Sequence, residues 1–276
     1  MARERAGVMP AGGRLAEYRR GANRWHWAGV LGGVVTAVAV AESGGFGRGF
    51  LLAAPLFALC LCGGILLGEL TVAAPTDPTR RATLVVRRTR DYLPRRLTTA
   101  VLVTTAALLS LAAVTTAAGS ADDLGRAGRM LSRRCGPAAW ESAGPWPGSY
   151  YSVPLVITVL IGLGTAGLTL RWITRRPRLD SSPELDDALR RRAGRRVVAA
   201  AGILTTIPLA GIALVAGGAL LGTSCRPPWW SVAGWLLLGL IPVLLAMLGW
   251  CAAVVLAPER VATAPAAPAA TRREAR

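Results

Sequence analysis

Six long stretches of this chain carry no charge, and nearly every arginine lies in the segments between them. The uncharged runs are 25–41, 50–68, 97–121, 142–170, 197–225 and 227–257. A helix needs about 20 apolar residues to cross a hydrocarbon core about 30 Å thick. Every run but the first approaches or exceeds that length. The first reaches it by extending through Glu42, Ser43 and the glycines beyond. In lipid only helices and closed barrels satisfy their own backbone hydrogen bonds, and runs without period-two alternation exclude a barrel. A soluble helical protein is excluded too, because its buried helices seldom run this far without a charge and here that recurs. A cleaved signal peptide does not fit the N-terminus: the residues before Trp25 are mostly polar, and no A-x-A-like site follows the first run.

The expected fold class is therefore all-α, a polytopic transmembrane helical bundle with six spans arranged as three helical hairpins. Its spans fall at about 25–45, 50–69, 97–119, 149–171, 197–221 and 231–256 within a membrane domain of 25–257. Before it lies a basic tail, 1–24. After it lies an Ala/Pro/Thr-rich tail, 258–276, whose composition reads as disordered.

Arginine sets the orientation. Lysine is absent, and with both termini in the cytoplasm 26 of the 32 basic residues fall on the cytoplasmic side. The positive-inside rule favours that arrangement, which places the protein as a multi-pass component of a cell membrane with both termini cytoplasmic. The formal charge of +17 also raises nucleic acid as a partner. Because the excess flanks the spans, it reads instead as a topology signal and as contact with the lipid bilayer and its anionic headgroups. No nucleic-acid partner is expected.

The second and third hairpins resemble each other. Arginine pairs, Arg95-Arg96 and Arg195-Arg196, precede them, and the prolines Pro154 and Pro242 mark their returning spans. Each outer loop carries Cys-x-Pro-x-x-Trp, as Cys135-Gly-Pro137-Ala-Ala-Trp140 and Cys225-Arg-Pro227-Pro-Trp-Trp230. The pattern suggests a parallel repeat. Cys135 and Cys225 then share the non-cytoplasmic face, where a disulfide persists. They read as a bridge between the two loops, with two unrelated thiols as the alternative. Cys60, Cys62 and Cys251 lie within spans and read as small apolar packing residues. In the outer loop, 124–131 reads as a short amphipathic turn or helix. Trp140, Trp146, Tyr150, Tyr151, Trp229, Trp230 and Trp235 read as interfacial anchors.

Among the cytoplasmic segments, Ser181-Ser-Pro-Glu184 has the form of a capping box. Asp186 and Asp187 follow, four residues ahead of Arg190 and Arg191, an order that supports a helix. A helix is expected from near Ser182 into the fifth span, with Gly194 as a bend. The segment 80–96 reads as a basic amphipathic helix interrupted at Pro94. Its Arg87, Arg88 and Arg90 are the candidate contacts to anionic lipid or to a protein partner.

Chemistry leaves few tracks. His26 is the only histidine, so zinc-protease, His-ligated haem and Ser–His mechanisms lack their parts. No H-E-x-x-H, G-x-S-x-G or P-loop pattern occurs. No catalytic, cofactor-binding or metal-binding residue is assigned, and no cofactor is expected. The spans hold no charge at depth, and such charges usually mark function. Glu69, beside Gly68 at a helix end, is the candidate intramembrane functional residue. Its alternative is an end residue that snorkels to solvent. The pairs Gly29/Gly33, Gly64/Gly68 and Gly218/Gly222 permit close helix contact.

A chain rich in Ala, Gly, Val and Arg, with Gly68-Glu69-Leu70, Arg90-Asp-Tyr-Leu-Pro-Arg95 and Asp186-Asp-Ala-Leu-Arg-Arg-Arg192, resembles multipass integral membrane proteins of actinobacteria that have no assigned activity. The resemblance brings no reaction with it. The functional expectation is a non-enzymatic scaffold or regulatory membrane component. The alternative is a transporter or ABC-type permease subunit.

Overall fold

The computed structural model describes residues 11–43, 47–71, 92–175 and 183–256. Side chains are described from residue 20 in the first segment and from 186 in the last, that of residue 50 aside. Arg87, Arg88, Arg90 and the C-terminal tail lie outside the described residues. The elements run α1 (Ala11–Ser43), α2 (Arg48–Leu70), α3 (Arg95–Ala118), β1 (Leu131–Arg134), β2 (Trp140–Ala143), α4 (Ser149–Arg175), α5 (Pro183–Leu221) and α6 (Pro228–Leu256). All six helices are long and apolar enough to cross a membrane, so the all-α bundle stands. α1 overshoots its expected span, beginning at Ala11 inside the segment expected to be a tail. α5 runs from Pro183, beside the expected helix start at Ser182, and continues through Gly194 without the expected bend.

Helix starts and interruptions follow the prolines. Pro94 caps a helix: its carbonyl accepts the Thr98 N–H at 2.9 Å and α3 begins at the next residue. Up to residue 91, the helix expected before it lies outside the described residues. Pro55, Pro154, Pro208 and Pro242 all lie inside helices. Such positions lose one backbone hydrogen bond, and lipid-embedded bundles tolerate them through neighbouring helices and hydroxyls.

α5 is the hub of the bundle. In its most apolar window 78% of residues are buried, against 11% in α1. Leu204, Leu209 and Ile212 from α5 share one core with Leu61 of α2, Leu108 of α3, Leu155 of α4 and Val254 of α6, each fully or almost fully buried. The chain passes through the bundle as three successive helix pairs, but the pairs are packed differently. α1 and α2 lie along each other, as do α5 and α6. α3 and α4 are joined in sequence yet splayed, α3 packing on α5 and α4 on α2.

Glycine explains the closest pair. A Cβ on Gly29 would sit 2.9 Å from the Cys60 carbonyl oxygen, and one on Gly64 would sit 2.8 Å from the Gly29 Cα. Gly33 is as tight against Phe57. Gly29 and Gly33 therefore let α1 and α2 touch backbone to backbone. In the third pair the expected glycine is one position off. Gly218 meets nothing, whereas Gly217 faces Gly234 of α6, its Cβ position 3.1 Å from the Gly234 carbonyl oxygen.

At the far end of α3 the connection to α4 folds into a small cap. β1 and β2 pair antiparallel, from Leu131 opposite Ala143 to Arg134 opposite Trp140. Of the two readings of 124–131, turn or helix, the turn is what forms: those residues make turns leading into β1. Two causes act there. Gly125 and Gly128 take left-handed backbone angles (φ 74° and 75°), and the Asp122 carboxylate accepts the Leu124 and Arg126 N–H groups that a helix would have used. The two Cys-x-Pro-x-x-Trp segments also differ locally. The first is the turn between β1 and β2, closed by the Cys135 N–H on the Ala139 carbonyl at 2.8 Å. The second runs from a loop into the first turn of α6. The shared spacing places their cysteines alike without giving them one backbone shape.

Candidate functional site

Polar side chains collect at the two ends of the bundle. At the cap end, Cys135 from the β-turn and Cys225 from the α5–α6 connection are brought together, Cα atoms 5.8 Å apart and sulfurs in bonding contact. Glu141 of β2 lies beside them. Its carboxylate accepts the Ser224 N–H at 2.7 Å and the Cys225 N–H at 3.0 Å. Those two amides, Ser224 first, hold its pKa below the usual carboxylate range despite some burial. The three residues thus bring the α3–α4 connection against the α5–α6 connection through the close approach of the two sulfurs and two charge-assisted contacts. They are also the one group among the described residues whose ligand atoms stand close enough together for a metal ion. Placed between the two connections, the group serves as a latch.

The rest of the cap is built to hold that latch still. Trp146 is buried and donates its indole N–H to the Thr115 carbonyl at 2.7 Å, which pins the cap to the end of α3. Leu131, Trp146, Ala216, Leu220 and Trp230 form a second small core beneath it, and the Arg133 guanidinium lies over the Trp230 ring at 5.3 Å. Of the seven expected anchors, Trp140, Trp229 and Trp235 are exposed as an interfacial role requires. Trp146, Tyr151 and Trp230 are core residues instead. Asp122 binds Arg126 at 2.8 Å and Arg129 at 2.6 Å. Burial works to raise its pKa, but the Arg126 N–H and guanidinium prevail and hold it below the usual range.

At the other end Arg190 and Asp186 are fully buried, an unusual state for either residue. Arg190 Nε meets Asp186 Oδ2 at 2.8 Å, and Nη1 donates to the carbonyls of Ile173 and Thr174 in the last turns of α4. Those carbonyls have no partner within their own helix, so one arginine both pairs a carboxylate and caps α4. Next to it, the Tyr92 hydroxyl donates to Asp187 at 3.1 Å. The start of α5 therefore grips the end of α4 and the lead-in to α3. Of the two acid–base pairs expected by spacing, Asp186 and Arg190 meet. Asp187 turns to Tyr92.

Glu69 is buried at 5% exposure, so it does not snorkel into solvent. His26 is buried as well, packed edge-on against Trp27 at 6.0 Å, with Nδ1 lacking a hydrogen-bond partner and Arg196 within electrostatic range. Cys62 and Cys251 are buried as expected, and Cys60 is half-buried. Sequence reasoning missed Glu141, whose neighbours in sequence give no motif, and the complete burial of Arg190. The i, i+4 spacing to Asp186 announced the pair but not its depth.

Comparison with protein-family models, with curated proteins and with solved structures finds no match. What the fold and site define is a class: a six-helix protein whose helices suit a membrane, cross-braced by polar contacts at both ends and filled between them by apolar side chains and hydroxyls.

Proposed function

We propose that this protein is a non-enzymatic scaffold or regulatory component of a bacterial cell membrane, related to the actinobacterial multipass proteins it resembles, with both termini in the cytoplasm. In this reading the cap faces outward and is closed by a Cys135–Cys225 disulfide. The arginine-rich segments, including Arg87, Arg88 and Arg90, face inward against anionic lipid or a protein partner. The observation that carries it is the chemistry of the central helix. Through the membrane-spanning part of α5 the buried polar side chains are Thr205 and Thr206, with Thr205 sharing a hydrogen bond with Thr104 of α3 at 3.2 Å. Ion-coupled transporters need ionisable groups at that depth. Here the buried ionic groups among the described residues sit at the arginine-rich end.

A transporter or permease subunit is the second reading, favoured by the burial of Glu69 and His26. One experiment separates the two. Neutralising Arg87, Arg88 and Arg90 together should weaken binding of the purified protein to anionic vesicles or to a cytoplasmic partner, more so at low salt. Glu69→Gln should leave that binding intact. A measurable cellular phenotype lost in Glu69→Gln alone, with the arginine variant unaffected, overturns the scaffold reading in favour of transport.

A further inference from the structure

The latch holds more chemistry than two sulfurs. Cys135 and Cys225 are 90 residues apart in sequence, yet the fold gathers both beside Glu141. The two sulfurs and a Glu141 oxygen all lie within 4.8 Å of one another, and Glu141 Oε2 stands 3.6 Å from the Cys135 sulfur. Two thiols and one carboxylate at that spacing form a ligand set for a borderline-soft divalent ion. Their surroundings suit that role. The Ser224 and Cys225 amides each donate to a different Glu141 oxygen, which aims the carboxylate and leaves each oxygen a lone pair for a metal. Carboxylate ligands are commonly oriented in this way by an outer hydrogen bond. Arg134 and Arg226, each next in sequence to a cysteine, fasten the two turns. Arg134 donates to the Gly136 and Pro137 carbonyls at 3.1 and 2.6 Å, and Arg226 to the Leu221 and Thr223 carbonyls at 2.8 and 2.9 Å. Their positive charges sit on the turns that carry an anionic ligand set. Cys135 is exposed, so an ion reaches the group from solvent.

We propose that the dithiol form of the latch binds a zinc-class divalent ion through Cys135, Cys225 and Glu141. Metal then clasps the two connections wherever the sulfurs are not bonded to each other. Two sulfurs at about 2.3 Å from a tetrahedral zinc stand about 3.8 Å apart. Cysteines whose Cα atoms are 5.8 Å apart reach that separation by rotating their side chains. The ion takes the place of the two thiol protons, which pass to solvent, and no electron moves. Three protein ligands leave the fourth position to water. Metal and the disulfide proposed above exclude each other at these sulfurs. Mass mapping reads the bridge and titration of the reduced chain reads the metal, so the two fail separately.

The test uses the full chain purified in a neutral maltoside detergent, reduced with a phosphine and titrated without oxygen, with Co²⁺ as the optical probe. One equivalent should bind with a thiolate-to-cobalt charge-transfer absorption, and Zn²⁺ should displace it. Cys135→Ser and Cys225→Ser should each weaken binding at least about a hundredfold, since even outer-shell changes at metal sites cost about 10–100-fold. Glu141→Gln keeps an oxygen for the two amides but loses the charge, and should weaken binding about tenfold or more. It carries the test if a cysteine variant fails to fold. Cys60→Ser, which alters the half-buried thiol within α2, should change nothing. No charge-transfer absorption in the reduced wild type, unchanged affinity in either cysteine variant or in Glu141→Gln, or an equal loss in Cys60→Ser, overturns the proposal.

Discussion

Arg190→Ala should be among the most damaging single substitutions in this protein, and its damage should be largely reversible by a second change. The wild-type side chain is fully buried with Asp186 at 1% exposure, and it serves one carboxylate and two α4 carbonyls. Alanine leaves the Asp186 charge buried and uncompensated, which costs about 3–5 kcal/mol. The loosened Ile173 and Thr174 carbonyls add to that unless water reaches them. Against a typical total stability of about 5–15 kcal/mol, such a loss threatens folding at the growth temperature. The double variant Asp186→Leu/Arg190→Met fills similar volume without charge, and replacing a whole buried pair is often close to neutral. It should recover to within about 2 kcal/mol of wild type, the shortfall being the uncapped carbonyls. Arg190→Lys should fall between, because an ammonium cannot span the carboxylate and the carbonyls at once. The assay is reversible unfolding in mixed micelles of increasing SDS fraction, followed by circular dichroism. If Arg190→Ala costs less than about 1 kcal/mol, or the double variant is no better than the single, the buried-pair argument is wrong.

Other consequences can be measured on the same preparation. Cys225→Ser should destabilise the protein, with about 4–5 kcal/mol as the chain-entropy ceiling for a bridge across 90 residues and less where the helices already restrain the loops. Mass mapping of non-reduced protein from native membranes should recover Cys135 and Cys225 in one linked peptide pair, and two free thiols would refute the bridge. Gly64→Leu should separate α1 from α2, because its Cβ would lie 2.6 Å from the Trp25 carbonyl oxygen, whereas Gly218→Leu, which meets nothing, should be close to neutral. The Glu141 latch should depend on acid. Its carboxyl is held below the ordinary value, so its stabilisation is fully present above the unfolded value of about 4.3 and is lost as pH falls through the lower folded value. In reduced protein, tryptophan fluorescence from the cap should therefore change only below about pH 4, and Glu141→Gln should remove that transition.

The bundle was legible because its signal is repeated and coarse. Six uncharged runs fix six helices, and lipid leaves the backbone no other solution. The i, i+4 spacing of Asp186 and Arg190, the glycines at 29, 33 and 64, and the matched cysteines at 135 and 225 were legible too, each resting on a geometric rule that sequence alone can apply. What escaped was whatever depends on non-local partners. Leu124 to Leu131 allows turn or helix by composition, and Asp122 and the left-handed glycines decide between them. Glu141 is an ordinary polar residue on a short strand until the fold sets Ser224 and Cys225 against it. Gly217 rather than Gly218 packs on α6 because the choice depends on how α5 is rotated, and a rich supply of glycines hides that. The splaying of α3 from α4 had no local cue at all.

The placement of the polar contacts also constrains motion. α5 is about 58 Å long, from 39 residues at 1.5 Å each, and it is tied at both ends to the same neighbour. At one end Arg190 holds the last turns of α4. At the other, Glu141 and Cys135 from the connection into α4 hold the residues just after α5. α6 packs closely along α5 and α3 packs on it as well, so these four helices are braced as a single body. The first pair is held differently: α1 and α2 touch through glycine backbone, and α2 meets α4 and α5 through side-chain packing and through the Arg48 guanidinium over the Tyr150 ring. A rocking motion of the kind transporters use would run along the boundary between the α1–α2 pair and the braced four. His26 on α1 and Glu69 on α2 are buried ionisable groups of that first pair. If the bundle does move, these two residues are where the movement should be felt, and a crosslink across the boundary between α2 and α4 should block it while one between α5 and α6 should not.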